Sequence, residues 1–264
     1  MSGDDVADRY AGAGRGWAGG AAHVYGPIAR DLVGLLAARA GRLEGTRVLD
    51  AGAGTGLVSD ALAVHGARPL ALDVSPDMLA QAPAHPRVVG SVTAVPLRDG
   101  VVDAVVAAFV LNHVTDPVRG LRELARVTRG GGTVVAAVYD NANASAVRDR
   151  IDVVTAAHGF SAPGWYRRLK TEAAPLLGSV ERMTDAATAA GLADVVVDAV
   201  AADVGVERAS QLVDYRLGQA HVAAWLGGLD PARRAAVREE AVAAVAPVME
   251  PYRPGVVRLV ATVR

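Results

Sequence analysis

Apolar positions along the chain fall into short runs with two different periodicities. Val48-Leu49 and Leu70-Ala71-Leu72 are compact apolar runs, the pattern of strands buried on both faces. Residues 27 to 40 instead place Ile28, Leu32, Leu35 and Leu36 at helical spacing and stop near Gly41. Strand and helix signals alternate from 47 to 138, which predicts βαβ units with parallel strands. The connections are short, so the sheet is expected to be doubly wound, with ligands at the carboxyl ends of its strands. Residues 140 to 177 are less regular. The spacing then predicts a helix over about 179–190, a strand over about 194–201, helices over 207–226 and 231–246, and a closing strand over 255–263. Asp230 and Pro231 open the last helix as N-cap and first helical residue.

Val48-Leu49-Asp50-Ala51-Gly52-Ala53-Gly54-Thr55-Gly56 reads as a buried strand running into a glycine turn that opens a helix. Glycines at 52, 54 and 56 remove side chains where the backbone turns sharply and approaches a ligand. Asp73 ends the next strand, placed to accept hydrogen bonds from ribose hydroxyls. Dinucleotide sites use G-x-G-x-x-G, with a helix N-terminus facing a pyrophosphate; this chain has G-x-G-x-G.

That spacing resembles motif I of the class I S-adenosylmethionine-dependent methyltransferases, whose cofactor has no phosphate. Three further segments match in order: Asp73-Val74-Ser75-Pro76-Asp77-Met78-Leu79, Gly90 to Leu97, and Asp103 to Val114 followed by Arg122 to Val127. Arg129-Gly130-Gly131-Gly132 then looks like the tight turn into strand 5. The resemblance, to the ubiquinone/menaquinone-biosynthesis type and to bacterial small-molecule methyltransferases, runs from about Arg47 to Tyr139. It implies a Rossmann-like α/β fold with a seven-stranded, mostly parallel sheet, whose last two strands form an antiparallel pair. It also implies S-adenosylmethionine as cofactor. Asp50, Gly52, Ala53, Gly54, Thr55 and Gly56 would form its loop; Asp73 would bind ribose, with Val74 against adenine, and Met78 would belong to the same cofactor site. Ser91, Val92 and Thr93 would edge the adenine ring, and Ala108 and Phe109 would close the site above strand 4. Tyr10 and Trp17 would belong to an N-terminal lid, or to a disordered start. Two positions depart from the pattern: Ser91 stands where an Asp is common, and Gly130 where a proline is usual. A hydroxyl can still accept the adenine amino hydrogen bond.

Composition narrows the partners. The chain has 264 residues and a formal net charge of −1, with acids and bases interspersed, so no polyanion-binding surface is expected and nucleic acid is not a predicted partner. The length suits a single domain: an N-terminal lid and helix (1–40), a cofactor core (47–139) and two cap insertions (140–177 and 207–246) over the cofactor end. The 27 basic residues include one lysine, Lys170, which with the Ala, Gly and Val richness suggests a high-GC bacterial genome; that signature, the inserted cap and the absence of nucleic-acid features together suggest a setting in secondary metabolism. There is no cysteine, so disulfides and thiolate sites are excluded. The start is polar and acidic, and no apolar run is long enough to cross a bilayer, so a cytoplasmic location away from membranes is expected.

Methyl transfer from a sulfonium is an in-line displacement that demands close positioning and exclusion of water. His113, in the loop above strand 4, is the candidate general base, since imidazole titrates near pH 6.5; the alternative is a loop-packing histidine. The cap supplies candidates for an apolar or aromatic acceptor pocket in Trp165, Tyr166, Tyr215 and Trp225, which are equally suited to be the cap's core. Asn112, Tyr139 and His221 complete the substrate candidates. His221 shares a helical face with Leu217 and Trp225, the spacing of a core histidine. Asp140-Asn141 with Asp116 resembles the divalent-cation ligands of catechol-type enzymes, but both segments read as turns, so no metal is expected. The expected reaction is methylation of an O, N or C atom of a small, partly apolar molecule. A protein of the same fold using the cofactor without methyl transfer, such as a cyclase, is the alternative. A nicotinamide oxidoreductase, disfavoured by the glycine spacing, and a non-enzymatic cofactor sensor are the others.

Overall fold

The structure, a computed structural model, describes residues 20–82 and 84–264. Tyr10 and Trp17 lie outside the described residues. Helix α1 (Ala22–Ala40) turns Ile28, Leu32 and Leu36 inward at four-residue spacing and stops at Gly41, whose φ is 82° and whose N–H donates to Ala37 O. It starts earlier than the expected residue 27, because Pro27, a residue suited to a first turn, lies inside the helix.

Strands β1 (Arg47–Ala51), β2 (Arg68–Asp73), β3 (Arg87–Val89), β4 (Val102–Ala108), β5 (Thr128–Tyr139), β6 (Ala193–Ala201) and β7 (Gly255–Thr262) form a seven-stranded sheet in the order β3-β2-β1-β4-β5-β7-β6. The first five run parallel, and β7 is antiparallel to both of its neighbours. This is the Rossmann-like, doubly wound sheet. Gly131, with φ at 74°, sits within β5 rather than in a turn ahead of it.

The strand alternation divides the interior into two cores. Val48, Ala104 and Val106 face one, while Leu49, Ala51, Val105 and Ala107 face the other. The first core is closed by α1, α2 (Leu57–Val64), α5 (Ala146–Ala157), α8 (Ala209–Leu217) and α10 (Pro231–Val245). The second takes Leu121, Leu124 and Val127 of α4 (Pro117–Val127) and Met183, Ala186 and Ala187 of α7 (Val180–Ala189). Short helices α3 (Pro76–Leu79), α6 (Gly164–Arg168) and α9 (Ala220–Gly227) complete the chain. Asp116, Ser145, Ser179 and Asp230 cap α4, α5, α7 and α10, each accepting the backbone N–H three residues on. Such a cap contributes about 1 kcal/mol.

Two expectations need correction. The segment 207–226 is two helices, because α8 ends at Gly218 and the chain extends at Gln219 (ψ 139°) before α9 begins. Leu217 and His221 therefore do not share one helical face. The stretch 140–177, irregular in pattern, contains α5 and α6. No helix among the described residues is long and apolar enough to cross a membrane.

Candidate active site

Strand order reverses around β1, which lies between β2 and β4, so the loops leaving β1 and β4 open a crevice at the carboxyl end of the sheet. A cleft of about 910 Å³ lies there. It is lined by Asp50, the loop Gly52 to Thr55, Asp73, Val74, Met78, Ala108 and Phe109. An adjoining cleft of about 860 Å³ continues past Asp73 and Val74 to Ser91, Val92 and Thr93. The expected cofactor residues after position 20 thus line two connected clefts, apart from Gly56, which precedes α2.

The three loop glycines serve different ends. A Cβ on Gly52 would lie 2.4 Å from Val110 Cβ, and one on Gly56 would lie 2.8 Å from Ala82 Cβ, so both are needed for packing. Gly54 has φ at 54° and a Cβ there would meet only Met78 Cε, at 3.4 Å, an ordinary van der Waals contact, so of the three it alone has room for a methyl group. Gly52→Ala is expected to destabilise the fold by roughly 2–4 kcal/mol, from overpacking and a strained left-handed backbone. Gly54→Ala carries only the backbone cost, roughly 1–2 kcal/mol. Urea unfolding of the two variants checks the order.

Asp73 ties the loop to β2. Its Oδ2 accepts Gly54 N–H and its Oδ1 accepts Ser75 N–H, both at 2.9 Å. Burial raises its carboxyl above the ordinary value, against the lowering effect of those N–H groups. Asp50 is 1% exposed, and its Oδ2 accepts both the Ser59 N–H (2.9 Å) and hydroxyl (2.7 Å). Burial outweighs these bonds and pushes the carboxyl up to about 7. Ser91 Oγ accepts Thr93 N–H and lies 2.9 Å from Thr93 Oγ1. The segment that follows is held from α4: Glu123 accepts Val95 N–H, and Arg126 donates to Val95 O, Leu97 O and Glu123. The sequence placed these two charges on a helix without indicating that role.

Phe109 follows β4 in the left-handed region, φ 56°, a conformation costing roughly 1–3 kcal/mol in a non-glycine residue. Its N–H donates to Ala137 O, and its ring packs 4.5 Å from Tyr139 and 5.1 Å from Tyr25. Tyr25, Asn112, His113 and Tyr139 line the first cleft and also a third, larger cavity of about 1780 Å³. These four residues are the wall shared by the two spaces. Tyr25 was not singled out in the sequence, since it precedes Pro27 and so fell outside the expected helix. Asn112 is 7% exposed and its Oδ1 has no hydrogen-bond partner among the described residues. Tyr139 and Tyr215 join their hydroxyls at 2.9 Å, and burial holds both phenols well above their ordinary range, so both stay neutral.

The large cavity gathers Trp165, Tyr166, Tyr215 and His221 from the two insertions. Trp225 does not line it; its ring packs 5.3 Å from Phe160, against the first core. His158 is bonded to Glu240 at 2.9 Å. Asp140 accepts Ala142 N–H and Asp116 caps α4, each serving its own local backbone, while Asn141 donates to the distant Pro175 O.

Residues 49–136 match a family described as a methyltransferase domain. Over 91 residues the chain is 48% identical to a demethylmenaquinone methyltransferase of Mycolicibacterium vanbaalenii, covering 34% of this chain and 40% of that protein. The chain thus spans about two fifths of that relative's length. In fold it is similar to phosphoethanolamine N-methyltransferase 2 of Haemonchus contortus (TM-score 0.57, 15% identity, 88% of this chain and 52% of that one). It is also similar to the [4+2]-cyclase SpnF (TM-score 0.56, 20% identity, 88% and 80%). Residues 49–136 thus match a methyltransferase domain in sequence, and the chain shares the fold of these solved structures.

Proposed function

We propose that the chain transfers a methyl group from S-adenosylmethionine to an O, N or C atom of a small, partly apolar molecule, in bacterial secondary metabolism and in the cytoplasm. The observation that carries this reading is the shared wall: Tyr25, Asn112, His113 and Tyr139 line both the cleft beside the glycine loop and the large cavity beyond it. A reaction between two bound molecules needs such a junction.

The residues present suit the cofactor. Asp73 would accept from the ribose hydroxyls, while Val74, Ser91, Val92 and Thr93 would surround adenine. The buried Asp50 would face the ammonium group, and Gly54 leaves room where a side chain would intrude. When bound, the cofactor supplies an electrophilic methyl group on a sulfonium. Phe109 and Tyr139 exclude water at the junction, and Asn112 Oδ1 accepts a hydrogen bond that orients the acceptor. His113 takes a proton from an acceptor atom that carries one. The segments 140–177 and 207–246 form the cap that selects the acceptor, carried on the 47–139 core. The name of the matched relative makes a quinone-like ring the first acceptor to try; the match covers only the cofactor half.

Calorimetric titration with S-adenosylmethionine and S-adenosylhomocysteine, after mass spectrometry has excluded co-purified cofactor, tests the reading. Micromolar binding followed by detection of a methylated product supports it. No binding to folded, cofactor-free protein overturns it, and full occupancy without methylated product favours non-methylating chemistry. With an acceptor in hand, His113→Ala is expected to lower turnover at saturating substrate by about 10²- to 10⁴-fold, the range of general-base contributions. Unchanged turnover would assign His113 to packing.

A further inference from the structure

The wall of the large cavity formed by α9 and the turn after α6 is chemically incomplete. His221 is 6% exposed, lines the cavity, and its Nε2 has no hydrogen-bond partner among the described residues. Its ring is fixed in place, stacked on Tyr166 at 3.6 Å with an interplanar angle of 5°. A buried polar atom left unpaired carries a free-energy cost that a bound group can remove. Four cations line the same cavity: Arg148 and Arg182 donate to the Asn143 and Pro175 carbonyls, and Arg216 and Lys170 are the two whose charges act on His221. The Arg216 side chain is 9% exposed and immobilised by Asp152, which accepts from Nε and Nη2 at 2.7 Å each, and by Gln219. Lys170, the single lysine of the chain, pairs with no carboxylate among the described residues. Burial, with Arg216 and Lys170 adding their charges, pushes the His221 imidazole down to about 3, so it is neutral at working pH. The carboxylates of the cavity are otherwise engaged or exposed: Asp152 holds Arg216, Asp140 accepts Ala142 N–H, and Asp149 is exposed.

We infer that this part of the cavity binds an oxyanion of the methyl acceptor, a carboxylate or a phosphate, through Lys170, Arg216 and His221. An ammonium there would meet two like charges, and a neutral apolar group would leave His221 Nε2 unpaired. An oxyanion meets the two cations and accepts from Nε2–H in the tautomer that carries it. The acceptor is then an amphiphile: an apolar or aromatic body against Trp165 and Tyr166, with an anionic group held away from the reacting atom. This inference rests on the proposed function, in which the large cavity receives the acceptor.

The test uses the full chain loaded with S-adenosylhomocysteine, whose binding is measured first and separately, so that its failure reports on the cofactor reading alone. Benzoate, phenyl phosphate, benzylamine and benzyl alcohol are then titrated by calorimetry or ligand-observed NMR. Benzoate or phenyl phosphate is expected to bind at least tenfold more tightly than the amine and the alcohol, and the better of the two identifies the oxyanion. Lys170→Met and His221→Leu are each expected to weaken anion binding at least fivefold while leaving S-adenosylhomocysteine affinity unchanged. Lys170 is exposed, so its variant keeps the test open should His221→Leu misfold. Equal or tighter binding of benzylamine or benzyl alcohol, no anion binding up to 50 mM, or unchanged anion affinity in Lys170→Met overturns the inference.

Discussion

Replacing Asp73 by Asn is expected to weaken S-adenosylhomocysteine binding by about 10²- to 10⁴-fold. Hydrogen bonds to a charged group contribute roughly 1.5–3 kcal/mol each, and two ribose hydroxyls give roughly 3–6 kcal/mol. The loss has a second source inside the protein. Asp73 Oδ2 accepts Gly54 N–H and Oδ1 accepts Ser75 N–H, so the carboxylate sets the loop against the tip of β2 before any ligand arrives. Asn keeps one acceptor oxygen and presents an amide N–H₂ where the other N–H now donates, which loosens either the loop or the start of α3. Calorimetry with the variant checks the outcome. Wild-type affinity would remove Asp73 from the cofactor site and leave it a purely structural clamp.

The sheet was legible because strands buried on both faces write continuous apolar runs, and helices that pack on one face write a four-residue spacing. Leu70-Ala71-Leu72 and the Ile28, Leu32, Leu36 stripe are such signals. The glycine loop was legible as a loop but not in its division of labour. That Gly52 exists for Val110 and Gly56 for Ala82 depends on contacts between residues 26 to 58 positions apart, which no local pattern carries. The same reason hid the clamp of Glu123 and Arg126 on the segment after β3.

The cap was the least legible part. A helical period running through 207–226 cannot reveal that the chain extends at Gln219, and that break is what sets His221 on a separate helix, beside Tyr166. Trp225 and Trp165 have similar sequence credentials, yet one packs on Phe160 and the other lines the cavity. In a chain with 4% aromatic residues, Tyr25, Phe109, Tyr139 and Tyr215 gather where the sheet, α1 and α8 meet, the Tyr25 ring lying 5.1 to 6.2 Å from the other three and Phe109 4.5 Å from Tyr139. The concentration of scarce rings beside the shared wall, with Phe109 held at a costly φ, marks that junction as the place where shape is most tightly determined.

Asp50→Asn is expected to stabilise the cofactor-free protein at pH 8 while removing the pH dependence of cofactor binding. The Asp50 carboxyl titrates at about 7 in the folded chain, against 3.8 as its ordinary value, so between these limits the folded state holds a proton that the unfolded state has released. Stability therefore falls as pH rises from about 4 to about 7 and is flat above, a loss of about 4 kcal/mol for a group this buried. An isosteric neutral amide escapes that loss, so melting temperatures of variant and wild type should be close near pH 4 and diverge by pH 8, with the variant higher. The ionised carboxylate is nonetheless what an ammonium group requires. With protonation competing at a pKa near 7, wild-type affinity for S-adenosylhomocysteine should be about 25-fold weaker at pH 5.5 than at pH 7.5, and the variant should be weak and level across that range. Melting curves and titrations at the two pH values separate the effects. A variant less stable than wild type at pH 8 would mean that the Ser59 donors, not desolvation, dominate the energetics of Asp50. A pH-independent wild-type affinity would place the ammonium group away from it.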